Sequence, residues 1–367
     1  MTTNIHPALL GLEKPLTTFA SDNSAGANPL VMQAIVDANK NHSLAYGSDP
    51  WTEEVQKSFK KLFGEESETF LVWGGTGANV MALATLIQAG ECVVCSDKAH
   101  IALDETGAPE RALGAKIMML PTTDGKIKPE QIAALSRLIG VQHHAQPGVL
   151  SLTQSTELGT IYSAEEIKDL CQEARKLGMR VHLDGARIAN ATVALGNSIQ
   201  ALQSFTKDAG IDVVCFGGTK AGLAFGEAVV YLNPEHAKRA KYVRKQVNQL
   251  PSKMRFVSAQ FSALLKDNLW LQLAVHSNNM ATRLYEATKN IEGLVYNDAP
   301  SVNGLFPILP EKCIAPLADW CKFWMWDANL NQVRWMTSWD TTEEDVDRFA
   351  AGVKAIIGNR NRALFTA

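Results

Sequence analysis

From about residue 69 to 232 the chain alternates between two hydrophobic patterns. Short apolar runs rich in β-branched residues ("TFLVW", "CVVCS", "KIMMLP", "GVLSLTQ", "RVHLD", "DVVCFGG", "EAVVYL") are separated by longer stretches such as "ANVMALATLIQ", "PEQIAALSRLI" and "AEEIKDLCQEARKLG". Continuous apolar runs of strand length mark strands buried on both faces, and the longer periodic stretches mark the helices that cover them. Strand and helix alternation implies right-handed crossovers, so the predicted fold class is α/β, a mostly parallel central sheet flanked by helices. Local signals agree. Ser163 and Glu166 of "SAEE" form a capping box at one helix start, and Gly178 follows that helix's last turn.

After about residue 255 the pattern changes to a long helical stretch, "SAQFSALLKDNLWLQLAVHSNNMATRLYEATK". Two short strands, "VNGLFPIL" and "QVRWMTSW", and a final helix from "TTEEDVDRF" onward follow it. The first sixty residues are turn-rich ("SDNSAGANP", "AYGSDPW"). The expected organisation is an N-terminal arm over 1–25, a large α/β domain over 26–254 and a smaller C-terminal α+β domain over 255–367.

Composition narrows the class. The 367 residues are 46% hydrophobic, enough for about two domains around a sizeable core. With 35 basic and 38 acidic residues and no basic run beyond "KRAKYVRK", neither nucleic acid nor an anionic membrane is an expected partner. "MTTNIHPALLGLEKPLTT" lacks a basic region ahead of a continuous apolar core, and no segment reaches the roughly 18 apolar residues of a membrane helix. A cytoplasmic protein is expected. The six cysteines, at 92, 95, 171, 215, 313 and 321, sit in apolar surroundings and make no disulfide framework. Cys92 and Cys95 have metal-like spacing but no second ligand pair, so no metal is expected.

Parallel sheets bind ligands beyond the carboxyl ends of their strands. Four polar features fall there. Gly74, Gly75, Thr76 and Gly77 of "WGGTGANVMAL" make a turn that opens into a helix, whose free N–H groups suit a phosphate; by itself the stretch reads equally as a tight turn. His100 ends the strand in "SDKAH", where a capping or packing role is the bland alternative. Asp184 and Arg187 leave a strand in "HLDGAR", and a carboxylate there serves a metal, a base or a cationic ring nitrogen. Lys220 lies in "FGGTKAG", 220 − 184 = 36 residues beyond Asp184, the length of one helix and one strand. Neighbouring strands would aim both into one pocket. A phosphate cradle, a histidine able to stack, an aspartate and a lysine are together what pyridoxal 5′-phosphate requires. The lysine binds the cofactor aldehyde, and the aspartate keeps the ring nitrogen protonated so that the ring accepts electrons.

The stretches "FASDNSAG", "AYGSDPW", "GGTGAN", "KAHIALDETGAPE", "SLTQSTELGTIYS", "HLDGARIANA", "FGGTKAG" and "VRWMTSWDTTEEDV" resemble the low-specificity L-threonine aldolases, pyridoxal-phosphate enzymes of the aspartate-aminotransferase-like fold group. The likeness runs from about residue 19 to 350, and "HLDGAR" followed in register by "GGTK" is its most specific part. It implies that Lys220 holds the cofactor covalently, Asp184 pairs with the pyridine nitrogen, His100 stacks on the ring, and Gly75 and Thr76 bind phosphate. By the same resemblance Ser21, Arg187 and Arg334 hold the amino acid carboxylate, Arg255 lies near the phosphate, and the assembly is a homotetramer with sites at subunit interfaces.

The implied reaction is reversible cleavage of a β-hydroxy-α-amino acid to glycine and an aldehyde. One position departs from the family: where many relatives carry a histidine, this chain has Thr156 followed by Glu157, leaving His100, a water and Glu157 as candidate bases. Tyr46, Trp51 and Trp73 are aromatic candidates for a pocket that favours phenylserine-like substrates, or for packing. The rival readings are another reaction on the same cofactor (β-elimination, racemisation, transamination), a non-catalytic cofactor-binding protein, and a nucleotide-binding protein, the last lacking a P-loop lysine.

Overall fold

The computed structural model describes residues 6–363, with backbone alone for 359–363, so the first five residues of the expected N-terminal arm lie outside the described residues. The chain forms two compact units, one over Ala27–Leu271 and one made of the residues before Ala27 together with those from Gln272 onward.

All seven strands expected in the first region form one sheet of the larger unit. They are β1 (Glu68–Val72), β2 (Glu91–Ser96), β3 (Lys116–Leu120), β4 (Gln146–Thr153), β5 (Arg180–Gly185), β6 (Val213–Gly217) and β7 (Glu227–Tyr231), in the order β1-β7-β6-β5-β4-β2-β3. β2 to β6 run parallel, while β7 is antiparallel to both β6 and β1. β5 and β6 are neighbours, with Asp184 opposite Cys215. On one face Val213, Cys215, Val229 and Tyr231 pack against Ala78, Met81 and Ala82 of the helix Gly75–Leu86. On the other, Phe216 meets Phe59, Phe63 and Trp270 at ring-centroid distances of 5.4, 6.3 and 5.4 Å. The capping box forms as expected, with Ser163 Oγ accepting from the Glu166 N–H and Glu166 accepting from the Ser163 N–H.

The expected boundary at 254/255 moves. The helix Arg255–Leu265 packs on Pro29–Ala38 and Pro50–Phe63 within the larger unit. The helical stretch that the sequence pattern reads as continuous is broken by Asp267, held at φ 51°. The described part of the N-terminal segment is an integral part of the smaller unit, where the Phe19 N–H donates to Lys322 O (3.0 Å) and the Met336 N–H donates to Phe19 O (2.9 Å). The Phe19 ring stacks on Phe349 at 4.3 Å, in a core shared with Phe323, Trp335 and Leu317. The three-stranded sheet of this unit, β8 (Gly304–Leu305), β9 (Trp324–Asp327) and β10 (Gln332–Met336), is antiparallel in the order β8-β10-β9. β9 was not anticipated, because "WMWD" shows neither burial on both faces nor alternation.

One buried carboxylate staples four elements of the larger unit. Asp212, 3% exposed, accepts from Arg175 Nη2 (2.7 Å) and the Val181 N–H (2.7 Å), and faces His236 Nε2 at 3.5 Å. Burial alone would raise its pKa, but the His236 and Val181 hydrogen bonds and the Arg175 charge outweigh burial and lower it. Its stabilisation is therefore present above the ordinary aspartate pKa near 3.9 and is lost as pH falls through the depressed value. Asp212→Ala is expected to cost about 2 kcal/mol, chiefly by leaving the buried Val181 N–H without its acceptor, since Arg175 keeps its bonds to Met179 O and Gly210 O. Chemical denaturation at neutral pH checks this; a loss under about 1 kcal/mol would reduce Asp212 to a surface-type pair.

Candidate active site

Strand direction gathers the polar residues of the larger unit. Asp184 is the last residue but one of β5 and points to the face covered by the helix Gly75–Leu86, because its register partner Cys215 packs there. One turn into that helix, Asn79 Nδ2 donates to Asp184 Oδ2 (2.8 Å), while the Ala186 N–H donates to Asp184 Oδ1 (2.9 Å). Both carboxylate oxygens are held, and the group is 5% exposed. Two residues earlier on the same face, His182 is buried between Ser151 Oγ (2.9 Å) and Cys215 Sγ (3.2 Å). Burial pushes its pKa down to about 4, so it stays neutral.

The helix Gly75–Leu86 starts with Gly74 as its N-cap, which offers no side-chain acceptor to the N–H groups of the first turn. A Cβ built on Gly75 meets nothing within 4 Å, whereas one on Gly77 would meet the Gln249 side-chain amide, whose Oε1 accepts from the Trp73 N–H (3.0 Å). Asn79 Nδ2 also donates to Glu105 Oε1 (2.9 Å), and Glu105 Oε1 accepts from His100 Nδ1 (2.9 Å). Asp184, Asn79, Glu105 and His100 thus form one hydrogen-bonded chain. The His100 side chain is 41% exposed while that of Glu105 is 0% exposed, so the ring offers its remaining edge outward from a buried anchor. The Glu105 hydrogen bond, opposed by burial and by Lys220 and aided by the Asp184 and Glu105 charges, raises the His100 pKa above its ordinary value.

Below His100 lies Glu157, whose Oε1 accepts from the His100 N–H (2.8 Å) and from Thr153 Oγ1 (3.0 Å). Burial pushes its pKa up to about 7. The Thr156 hydroxyl is engaged elsewhere, 2.6 Å from Thr160 Oγ1.

Lys220 follows β6 in a single 3-10 turn, Thr219–Ala221, closed by Gly222 at φ 111°. Two glycines let this turn close: a Cβ at Gly217 would lie 2.4 Å from Ala186 O, and one at Gly218 would lie 2.4 Å from Gly226 O. The "GG" of the motif is therefore a backbone-on-backbone contact that no larger residue permits. Arg187 stands three residues past Asp184, at the start of the helix Ile188–Ala194. Arg255 Nη1 donates to the carbonyls of Lys40 (3.3 Å) and Asn41 (3.0 Å). In the smaller unit, Arg334 on β10 donates from Nη2 to Ala20 O (3.2 Å), next to Ser21, and lies 5.4 Å from the centroid of the Trp326 ring. Ser21 Oγ accepts from the Asn23 N–H (3.1 Å). Trp73 packs on Phe225 at 5.4 Å, and Tyr46 lies under Lys245 Nζ at 5.4 Å.

Asn79, Glu105 and Glu227 were not singled out in the sequence. Asn79 follows the glycine turn within "GGTGAN", and Glu105 falls five residues after His100 in "KAHIALDETG", in the turn between the helices His100–Leu103 and Ala108–Leu113; each is legible only once these elements are placed.

The comparisons with known proteins converge with this geometry. The family model "Beta-eliminating lyase" matches residues 18–309. The low specificity L-threonine aldolase of Pseudomonas aeruginosa is 38% identical over 343 residues, spanning 93% of this chain and 98% of its own. A second enzyme of that name, from a Pseudomonas species, is 39% identical over 92% of this chain and 97% of its own. A solved Leishmania major threonine aldolase superposes with a TM-score of 0.87 at 29% identity, covering 93% of this chain and 99% of that one. The chain belongs to the beta-eliminating lyase family and, within it, groups with the low-specificity L-threonine aldolases.

Removal of the Glu105 charge tests the hydrogen-bonded chain directly. In Glu105→Gln the His100 ring is expected to titrate at lower pH than in the wild type, since the carboxylate that leads the upward shift is gone. NMR titration of the histidine ring protons reads this, and an unmoved His100 titration would mean the Glu105 contact carries no electrostatic weight.

Proposed function

We propose that the protein is a pyridoxal-phosphate-dependent carbon–carbon lyase that cleaves threonine-type β-hydroxy-α-amino acids reversibly to glycine and an aldehyde. The observation that carries this reading is the buried chain from Asp184 through Asn79 and Glu105 to His100, assembled beside the Lys220 turn in a chain nearly 40% identical to threonine aldolases. The residues present fit the cofactor. Gly75 and Thr76 would hold its phosphate at the helix start, where no N-cap side chain takes up the N–H groups, Asp184 its ring nitrogen, His100 its face and Lys220 its aldehyde. Buried polar atoms near this chain have no protein hydrogen-bond partner, namely Asn79 Oδ1, Glu105 Oε2 and Glu157 Oε2. Bound there, the cofactor would take up the electron pair released when the Cα–Cβ bond breaks.

The chain's own residues do the rest. Ser21, Arg187 and Arg334 would orient the substrate carboxylate, with the forked donors of arginine matching its plane. Fixing that end selects which bond at Cα is broken, which is what separates cleavage from elimination or racemisation. With Nδ1 donating to Glu105, the neutral His100 ring is left with Nε2 as an acceptor, and we assign it the β-hydroxyl proton. Thr156 is excluded from that role by its hydroxyl pairing with Thr160, and the described acceptor contacts of Glu157 lie beneath His100. Arg255 is kept as a residue near the phosphate on the resemblance alone. A homotetramer is the proposed assembly; Leu30, Met32, Val36 and Leu44 of the larger unit are exposed and would suit a protein partner. A cytoplasmic setting suits six buried cysteines that are not joined in disulfides.

Purified protein with added cofactor is expected to absorb in the visible and to release glycine and acetaldehyde from L-threonine. Lys220→Ala is expected to lose that absorbance, and Asp184→Asn to keep cofactor but lose about 100-fold or more in kcat. A keto acid product would transfer the reading to elimination or transamination. Arg334→Ala is expected mainly to raise KM for the amino acid; unchanged kcat and KM would remove Arg334 from substrate binding.

A further inference from the structure

Glu227 is a buried carboxylate for which the proposed reaction has no use. It opens β7, and because β7 runs antiparallel, its first residue lies at the carboxyl ends of β6 and β1, opposite Gly217 and Val72. Alternation along β7 puts Glu227 on the same face as Val229 and Tyr231, which is the face of Cys215 and Asp184. There Glu227 Oε2 accepts from the Gly218 N–H at 2.6 Å. The residue is 7% exposed. The segment it holds, Gly218–Thr219, leads directly into Lys220.

We propose that Glu227 is a positioning residue for Lys220: it anchors the turn that carries the lysine and presents a negative charge to its amine from beneath. This rests on the reading of Lys220 as the cofactor attachment point. The turn is pressed against the backbone at Ala186 and Gly226, and the Gly218 N–H would be an orphan donor without the carboxylate. A neutral amide would satisfy the N–H equally well, so the anchor alone does not require a charge. Keeping a carboxylate out of water is costly and is repaid where a cation lies close. Besides the Gly218 N–H, the groups that act on Glu227 are the Thr219 hydroxyl and Lys220, which favour the ionised form, and Asp184, which opposes it; the Cys215 thiol shares the same face of the sheet. Burial leads, and pushes the Glu227 pKa up to about 7. The charge beneath Lys220 is therefore mostly absent in mild acid and present in mild base.

The sign follows. An ionised Glu227 favours the protonated form of the nitrogen that Lys220 contributes to the bound cofactor, so the wild type should change its visible band at higher pH than a variant lacking the charge. Glu227→Gln keeps an acceptor for the Gly218 N–H and removes only the charge. Its band transition is expected to move down by about one pH unit. Glu227→Asp, with the charge retained, is expected to stay closer to the wild type. An unchanged transition in Glu227→Gln would overturn the electrostatic role. Amide exchange on the wild-type protein without cofactor tests the anchor separately, with a slowly exchanging Gly218 N–H expected; rapid exchange there would overturn the anchor even if no variant folds. Loss of the visible band in Lys220→Ala, measured alongside, reports on the attachment reading itself, so its failure is distinguishable from a failure of Glu227.

Discussion

The contact on which the larger unit's chemistry depends is the clasp of Asp184 by Asn79. A carboxylate at the end of a buried strand must be fully hydrogen-bonded to stay there, and two oxygens held by Asn79 and the Ala186 N–H meet that demand. Asn79 lies on the helix that the glycine turn opens, so one side chain fixes the distance between that helix start and a buried carboxylate. Through its second bond, to Glu105, the same amide also sets His100. Three functions that the chain order spreads over more than a hundred residues are thereby tied to one amide group.

Several buried acids share this edge of the sheet, and they are kept apart in role by what touches them. Asp184 and Glu105 share the Asn79 side-chain amide as a donor, whereas Glu157 and Glu227 lie outside that chain and are pushed up to about 7 by burial. Carboxyls that shed their charge near neutrality can line a site without crowding it with repulsion.

Much of this was legible in the sequence. All seven strands of the larger sheet announced themselves because strands buried on both faces read as unbroken apolar runs, and Asp184, His100 and Lys220 drew notice as candidates because they stand at the ends of such runs. Glu227 was invisible for a physical reason: in a parallel strand the first residue lies at the edge away from the site, and only the reversed direction of β7 carries it to the ligand edge. Direction is a tertiary property, and "EAVVYL" reads the same either way. The unit boundary was missed because the division falls between Leu271 and Gln272, inside the helix Leu269–Thr288, where the helical pattern runs on without a break.

The placement of β7 also has a consequence for synthesis. β1 stands at the edge of the sheet with β7 as its strand neighbour, and their closest paired residues, Val72 and Glu227, are 227 − 72 = 155 positions apart. On a ribosome, β1 must wait with its backbone unpaired until that whole span has emerged, and the last two strands to appear in this sheet are also those that deliver Lys220 and Glu227. The sheet and the lysine turn are thus completed in the same late event, and a nascent chain stalled before residue 227 would expose an apolar strand edge for a chaperone to cover.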